Sequence, residues 1–256
     1  MVDPALAALL RRDRVIVLAA LLAITVLAWT RVLQLARSMS AMAAMPGMTL
    51  DAWTPGHGAT MFAMWTIMMI GMMTPSVTPM ILIYAQVARR HTGTMPFASA
   101  LWFTDGYLLA WTGFSLVATV TQWGLERLAM LSPMMATTNR ILGGLLLIAA
   151  GAYQWLPVKY ACLSRCRSPL SFVMQHGGFQ AHALGSVRLG LQHGLYCIGC
   201  CWALMALLFV GGVMNLLWIA ALMVFVLLEK LVPGYRAVAK ASGAAAVALG
   251  VWYLVN

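Results

Sequence analysis

Charge is what this sequence has least of: 9% of its 256 residues are charged, against 62% that are hydrophobic. A soluble domain of that composition would have to build its surface from Leu and Ala, so the soluble classes are excluded. The period-2 alternation of a membrane β-barrel is missing too, which rejects closed sheet. No P-loop, nucleophile elbow or aspartyl-phosphate signature occurs, so ATP-driven transport is not written in this chain. Internal repeats and long polar stretches are absent, and residues 1–256 read as a single membrane domain.

What remains is apolar runs that approach or exceed the roughly 20 residues needed to cross a bilayer. They fall at 15–36, 59–87, 97–122, 140–157, 191–211, 214–231 and 239–255. The expected fold is all-α: a polytopic helical membrane protein of about seven transmembrane helices in a lipid bilayer. The net charge of +10 suggests nucleic acid until it is mapped onto the loops. With the N-terminus inside, the inner segments hold twelve of the sixteen Lys and Arg, Lys159 and Lys230 among them. The outer ones hold Arg31, Arg37, Arg127 and Arg140. The positive-inside rule then gives N-in, C-out, and the charge needs no nucleic-acid partner.

Residues 1–37 form a first helix with signal-like features, a basic "RRDR" before the apolar run and "AMA" at 41–43. Its length favours an uncleaved helix. An outer Met-rich segment spans 38–58, and a six-helix core 59–256. The inner segment 158–190 mixes bases, aromatics and glycines, as a chain lying along the interface does.

Methionine is abundant, with 20 residues. Met39, Met42, Met45 and Met48 recur every third residue in the outer segment, where packing gives no reason for equal spacing. In the second span Met61, Met64, Met68 and Met72 share a face about 80° wide at 100° per residue. A single buried Met is ordinarily a gap-filler between helices. A run of thioethers is also a soft, neutral ligand set that suits Cu(I) better than Zn(II) or Mg(II). His57, in "PGHG", is placed to cap such a site at the membrane surface. Pro75 and Pro79 free backbone carbonyls within the same span.

Cysteine is scarce, five residues in all, and three of them crowd into "HGLYCIGCCWALM" at 193–205. His193, Cys197 and Cys200 fall within about 60° of one another on a helix, and Cys201 and Met205 extend that face. One helix cannot supply a full tetrahedral set, so Cys162 and Cys166, one turn apart upstream, are the expected further donors. His176 and His182 lie in the same inner segment. All five cysteines fall on the inner, reducing side, where thiols stay available to a soft metal and structural disulfides are disfavoured. Two acids complete the set. Asp105 sits roughly two turns into the third span, either on an ion pathway or satisfied by helix tilt and Thr104. Glu229 and Lys230 end the sixth span and snorkel or pair locally, and Glu229 is deep enough to orient the His193 ring.

The motifs "MWTIMMIGMMTPS" (64–76), "GAYQWLPVKYACLSRCRSP" (151–169), "HGLYCIGCCWALM" (193–205), "GGVMNLLWIA" (211–220) and "EKLVP" (229–233) resemble a bacterial family of integral membrane proteins of unknown function, labelled predicted metal-binding. The resemblance covers nearly everything after about residue 55 and leaves the outer Met repeat outside. It implies a multi-pass protein of the bacterial inner membrane that binds metal.

The leading expectation is a Cu(I)-handling protein, not an enzyme, that exchanges copper with a metal donor or acceptor protein. Three others compete. "CIGC" at 197–200 would suit a thiol–disulfide oxidoreductase coupled to a quinone. His193 with His176 or His182 would suit a b-type haem, since no C-x-x-C-H attachment motif is present. The Met and Cys would be mere packing in a structural subunit of a membrane complex.

Overall fold

The computed structural model describes residues 4–43, 53–92, 97–132, 134–180 and 182–256. Among them the protein is all-helical, and its single β-type feature is an isolated bridge between Leu131 and Thr137. The elements are α1 (Pro4–Ala43), α2 (Pro55–Thr92), α3 (Phe97–Arg127), α4 (Arg140–Tyr153), α5 (Pro157–Arg167), α6 (Pro169–Gln175), α7 (Ala183–Ala206), α8 (Leu208–Gly211), α9 (Leu216–Leu231) and α10 (Tyr235–Val255). The expected side-chain roles of Met42, Met45 and Met48 lie outside the described residues.

Four stretches are long and apolar enough to cross a membrane: Arg14–Met39, Pro55–His91, Ala183–Gly211 and Tyr235–Val255. The α4–α5 pair, bent by 65°, makes a fifth if it is one span. Of the other two expected spans, α3 is rich in Thr, Ser and Gly, and α9 has only 16 residues.

Local chemistry explains the boundaries. Asn139 and Asn215 cap α4 and α9 by accepting the backbone N–H of Leu142 and Trp218. Proline opens α5 and α6, where its missing N–H costs nothing. The hydroxyls inside apolar helices turn back on their own carbonyls: Thr104 on Ala100, Ser115 on Trp111 and Thr119 on Ser115, all at 2.7–2.8 Å. α2 runs unbroken through Pro75 and Pro79. Pro75 cannot donate to the Gly71 carbonyl, and the Trp29 indole of α1 does so instead at 3.3 Å.

Small residues let long apolar helices approach closely. The α3–α7 contact is backbone on backbone. A Cβ on Gly106 would stand 2.0 Å from the Val187 carbonyl oxygen, and one on Gly190 2.0 Å from that of Phe103. Gly190 faces Phe103 and Gly194 faces Tyr107 and Ala110, the same order along both chains, so α3 and α7 are parallel. α2 is antiparallel to α3, with Trp65 bonded to Gln122 at one end and the Tyr84 ring tilted against Phe103 at the other. α4 and α10 cross antiparallel at Gly151 and Gly243. The buried interior is built from Trp65, Trp111, Tyr84, Tyr107, Phe103 and the methionines of α2.

Two departures bear on the site. α7 begins at Ala183, eight residues before the expected span. Gly185 and Gly190 fall in the expected inner segment, yet both are helical, and Gly190 together with Gly194 admits α3. The cysteines therefore sit in the middle of a membrane-length helix rather than at its mouth. In addition, Lys159 and Lys230, counted among the inner bases, are buried in the protein.

Candidate metal centre

The Sγ atoms of Cys197, Cys200 and Cys201 on α7 all lie within 4.8 Å of one another, and the three side chains are buried. Helical spacing brings them together, and the backbone holds them there. The thiols of Cys200 and Cys201 both donate to the Cys197 carbonyl oxygen at 3.0 Å.

Three other helices close on this face. From α3, the Tyr107 hydroxyl lies 3.2 Å from Cys197 Sγ and also reaches the Met73 carbonyl oxygen of α2 at 3.3 Å. From α9, Lys230 Nζ donates to Cys197 Sγ at 3.0 Å and to Ser76 Oγ at 2.8 Å. From α5, the half-buried Cys166 packs against this core and interacts electrostatically with Cys197 and Cys200. Cys162 lies beside α7, its Sγ 2.8 Å from where a Cβ on Gly199 would sit, so a larger residue there would displace the thiol. All five cysteines are free thiols.

His193 lies one turn from Cys197 on α7 and is 2% exposed. The rings of Phe172, Phe103 and Tyr107 surround it at 5.0–6.0 Å. Its Nδ1 has no hydrogen-bond partner among the described residues. A buried polar atom left unpaired costs roughly 1–3 kcal/mol, so an imidazole held this way calls for a ligand or another reason.

The other expected donors are dispersed. Met205 is buried one turn beyond Cys201, and Met61, Met64, Met68 and Met72 are buried along α2. Met39 is half-buried against the core. His57 packs edge-on against Trp53, with ring centroids 5.0 Å apart, at the end of α2 remote from the thiols. His176 bonds the Phe172 carbonyl oxygen through Nδ1 at 2.8 Å, and His182 is exposed just before α7. Asp105 is exposed on α3, and Thr104 bonds Ala100 rather than its neighbour.

Glu229 does not reach the His193 ring. Its carboxylate takes both bonds from Lys159 Nζ, at 2.6 and 2.8 Å, and the two side chains are 1% and 2% exposed. Gln154 also accepts from Lys159, and Arg167 donates to the Glu229 carbonyl oxygen at 2.7 Å. Adjacent residues on a helix point in different directions, so Glu229 and Lys230 could not pair with each other. Each found a separate buried partner. Tyr107, Ser76 and Lys230 are the site-lining residues that pattern reading missed. The one signal was the charged pair Glu229 and Lys230 carried at the end of an otherwise apolar helix.

Chemically, the site offers soft sulfur donors, one imidazole and a buried cation, away from water. That set suits a soft monovalent metal. A family model described as "PpoB2: Copper chaperone" matches residues 62–253 of the chain. Comparison with curated proteins and with solved structures found no match in either.

Proposed function

The chain belongs to this copper chaperone family, and from that premise we propose that Cys197, Cys200, Cys201 and Cys166, with His193, bind Cu(I) for transfer to another protein. The observation that carries the reading is the trio of buried thiols within 4.8 Å beside the Lys230 ammonium. Thiolate coordination builds negative charge around Cu(I), and a cation already inside the bundle offsets it. A thiol–disulfide enzyme has to present a sulfur to its partner, whereas these three are 0–2% exposed.

The proposed setting is the bacterial inner membrane, as one domain of seven spans with N-in, C-out orientation. The spans are α1, α2, α3, the bent α4–α5 pair, α7 with α8, α9 and α10. The run directions support this, since spans two and three are antiparallel and three and five parallel, as alternation requires. A copper donor or acceptor protein is the proposed partner. The buried methionines of α2 give a soft lining along the approach to the thiols.

Metal analysis of protein purified anaerobically in detergent tests the binding. One Cu(I) lost in the Cys197→Ser/Cys200→Ser/Cys201→Ser variant supports the site, and unchanged copper in that variant sinks it. Single cysteines placed at Arg90 and Asn256 in a cysteine-free chain test the topology. An impermeant thiol reagent added to intact cells should label position 256 and spare position 90.

A further inference from the structure

A second group of soft donors converges at the opposite end of the α2–α3 pair, around the side-chain amide of Gln122. That residue is fully buried on α3. Its Nε2 lies 3.4 Å from Met61 Sδ, 3.3 Å from Met135 Sδ and 2.8 Å from Glu126 Oε1. Trp65 Nε1 donates to Gln122 Oε1 at 2.7 Å, which fixes the amide with its nitrogen towards the sulfurs. Trp53 Nε1 holds the other Glu126 oxygen at 2.5 Å. An amide nitrogen has two hydrogens. Three acceptors therefore surround a group that can serve two.

The loop that supplies Met135 is built to hold it. Met135 is a non-glycine residue in the left-handed region, at φ 55°. Ser132 N–H donates to the Ala136 carbonyl and Met135 N–H to that of Ser132, both at 2.8 Å. Thr137 N–H ties the loop to the Phe209 carbonyl oxygen at 2.7 Å. An open pocket of about 580 Å³ lies against the loop, lined by Met134 and Ala136 together with Arg37 and Asn215. Met135, between those two loop residues, is 4% exposed and turns inward to Gln122. Backbone strain maintained to bury one thioether beside another is a feature of ligand sites.

We propose that Met61, Met135 and Glu126 form a second, thioether–carboxylate site for a soft monovalent cation, Cu(I), centred where the Gln122 amide nitrogen now meets all three. Two neutral thioethers and one carboxylate balance a single positive charge, so the loaded site is neutral in an apolar setting. A divalent ion would leave a net charge there. Thioether sulfur also prefers Cu(I) to harder ions. Metal–sulfur bonds of about 2.3 Å require the donors to close by about 1 Å and the Gln122 amide to give up its bond from Trp65 Nε1 and turn away. The three rotatable bonds of Met allow that movement. The site is separate from the thiols: Met61 and Met73 are twelve residues apart on α2, about 18 Å along the helix.

The test uses the full chain with all five cysteines changed to serine, titrated anaerobically with Cu(I), and with Ag(I) as a redox-inert probe. One equivalent bound, with sulfur scatterers in X-ray absorption, is the expected result. Adding Met61→Leu and Met135→Leu, which conserve volume, should abolish it while the melting temperature stays near that of the parent. Glu126→Gln alone should weaken binding at least tenfold. A cysteine-free protein that binds no metal overturns the proposal, as does binding untouched by the Met and Glu changes. Failure of the thiol site would appear separately, as copper unchanged when only the cysteines are replaced.

Discussion

Lys230 Nζ stands 3.0 Å from the sulfur of Cys197, thirty-three residues away in the chain. Its other polar partner is the Ser76 hydroxyl, while the adjacent Glu229 is bonded to Lys159. The ammonium is thus the cation placed to face the thiols. Lys230→Met removes the charge and keeps the apolar stem. Cu(I) affinity, measured by competition with a chromogenic chelator, should fall at least tenfold, about 1.4 kcal/mol. Unchanged or tighter binding would mean that the lysine is not a counter-charge.

His193 should separate stability from binding. Its unpaired Nδ1 is a buried liability, so His193→Phe in a cage of aromatic rings is expected to leave the melting temperature unchanged or raise it. The same change should weaken Cu(I) binding if the imidazole is a ligand. A variant that loses stability and keeps its copper would assign His193 to packing alone.

The ion pair of Lys159 and Glu229 is expected to matter to the fold. Removing one partner strands a charge in the interior, at a cost of roughly 3–5 kcal/mol. Lys159→Met and Glu229→Gln should each lower the melting temperature in detergent. The double variant Lys159→Met/Glu229→Met should recover much of the loss. Additive losses would show that the two residues act independently.

Glycines on α3 give a matched contrast. Gly106→Ala puts a Cβ against the α7 backbone and should separate the helices that bring Tyr107 to Cys197. Gly113 faces open space, so Gly113→Ala should be neutral or stabilise by up to about 1 kcal/mol through helix propensity. Melting curves and thiol reactivity of the two variants check this, and equal effects would refute the close-crossing argument.

Asp105 is exposed on α3 rather than turned to the core. Asp105→Asn is expected to leave both Cu(I) stoichiometry and stability unaltered, the latter within about 0.5 kcal/mol. A loss of copper in that variant would restore a pathway role to the carboxylate.

The apolar runs and helical periodicity made most of the helices legible, along with the shared face of His193, Cys197 and Cys200. Those features depend on local spacing alone. The start of α7 was not legible, because Gly185 and Gly190 lower helix propensity and the use of Gly190 appears only when α3 lies against it. The partners of Glu229 and Lys230 were equally hidden. A charged side chain at a helix end can snorkel or turn inward, and the choice depends on which helices surround it.

The sequence by itself determined that this is a helical chain with stretches apolar and long enough to cross a membrane, that its soft donors cluster, and that three thiols must lie close together. Composition and the 3.6-residue repeat suffice for that. Cys166 was an expected donor, but only the tertiary structure decided that Tyr107 and Lys230 meet those thiols from two other helices and that Glu229 goes to Lys159. Likewise only packing brought Met135 to Met61 around Gln122. Contacts between distant segments follow from how helices cross and how buried charges find partners, and no local pattern encodes either.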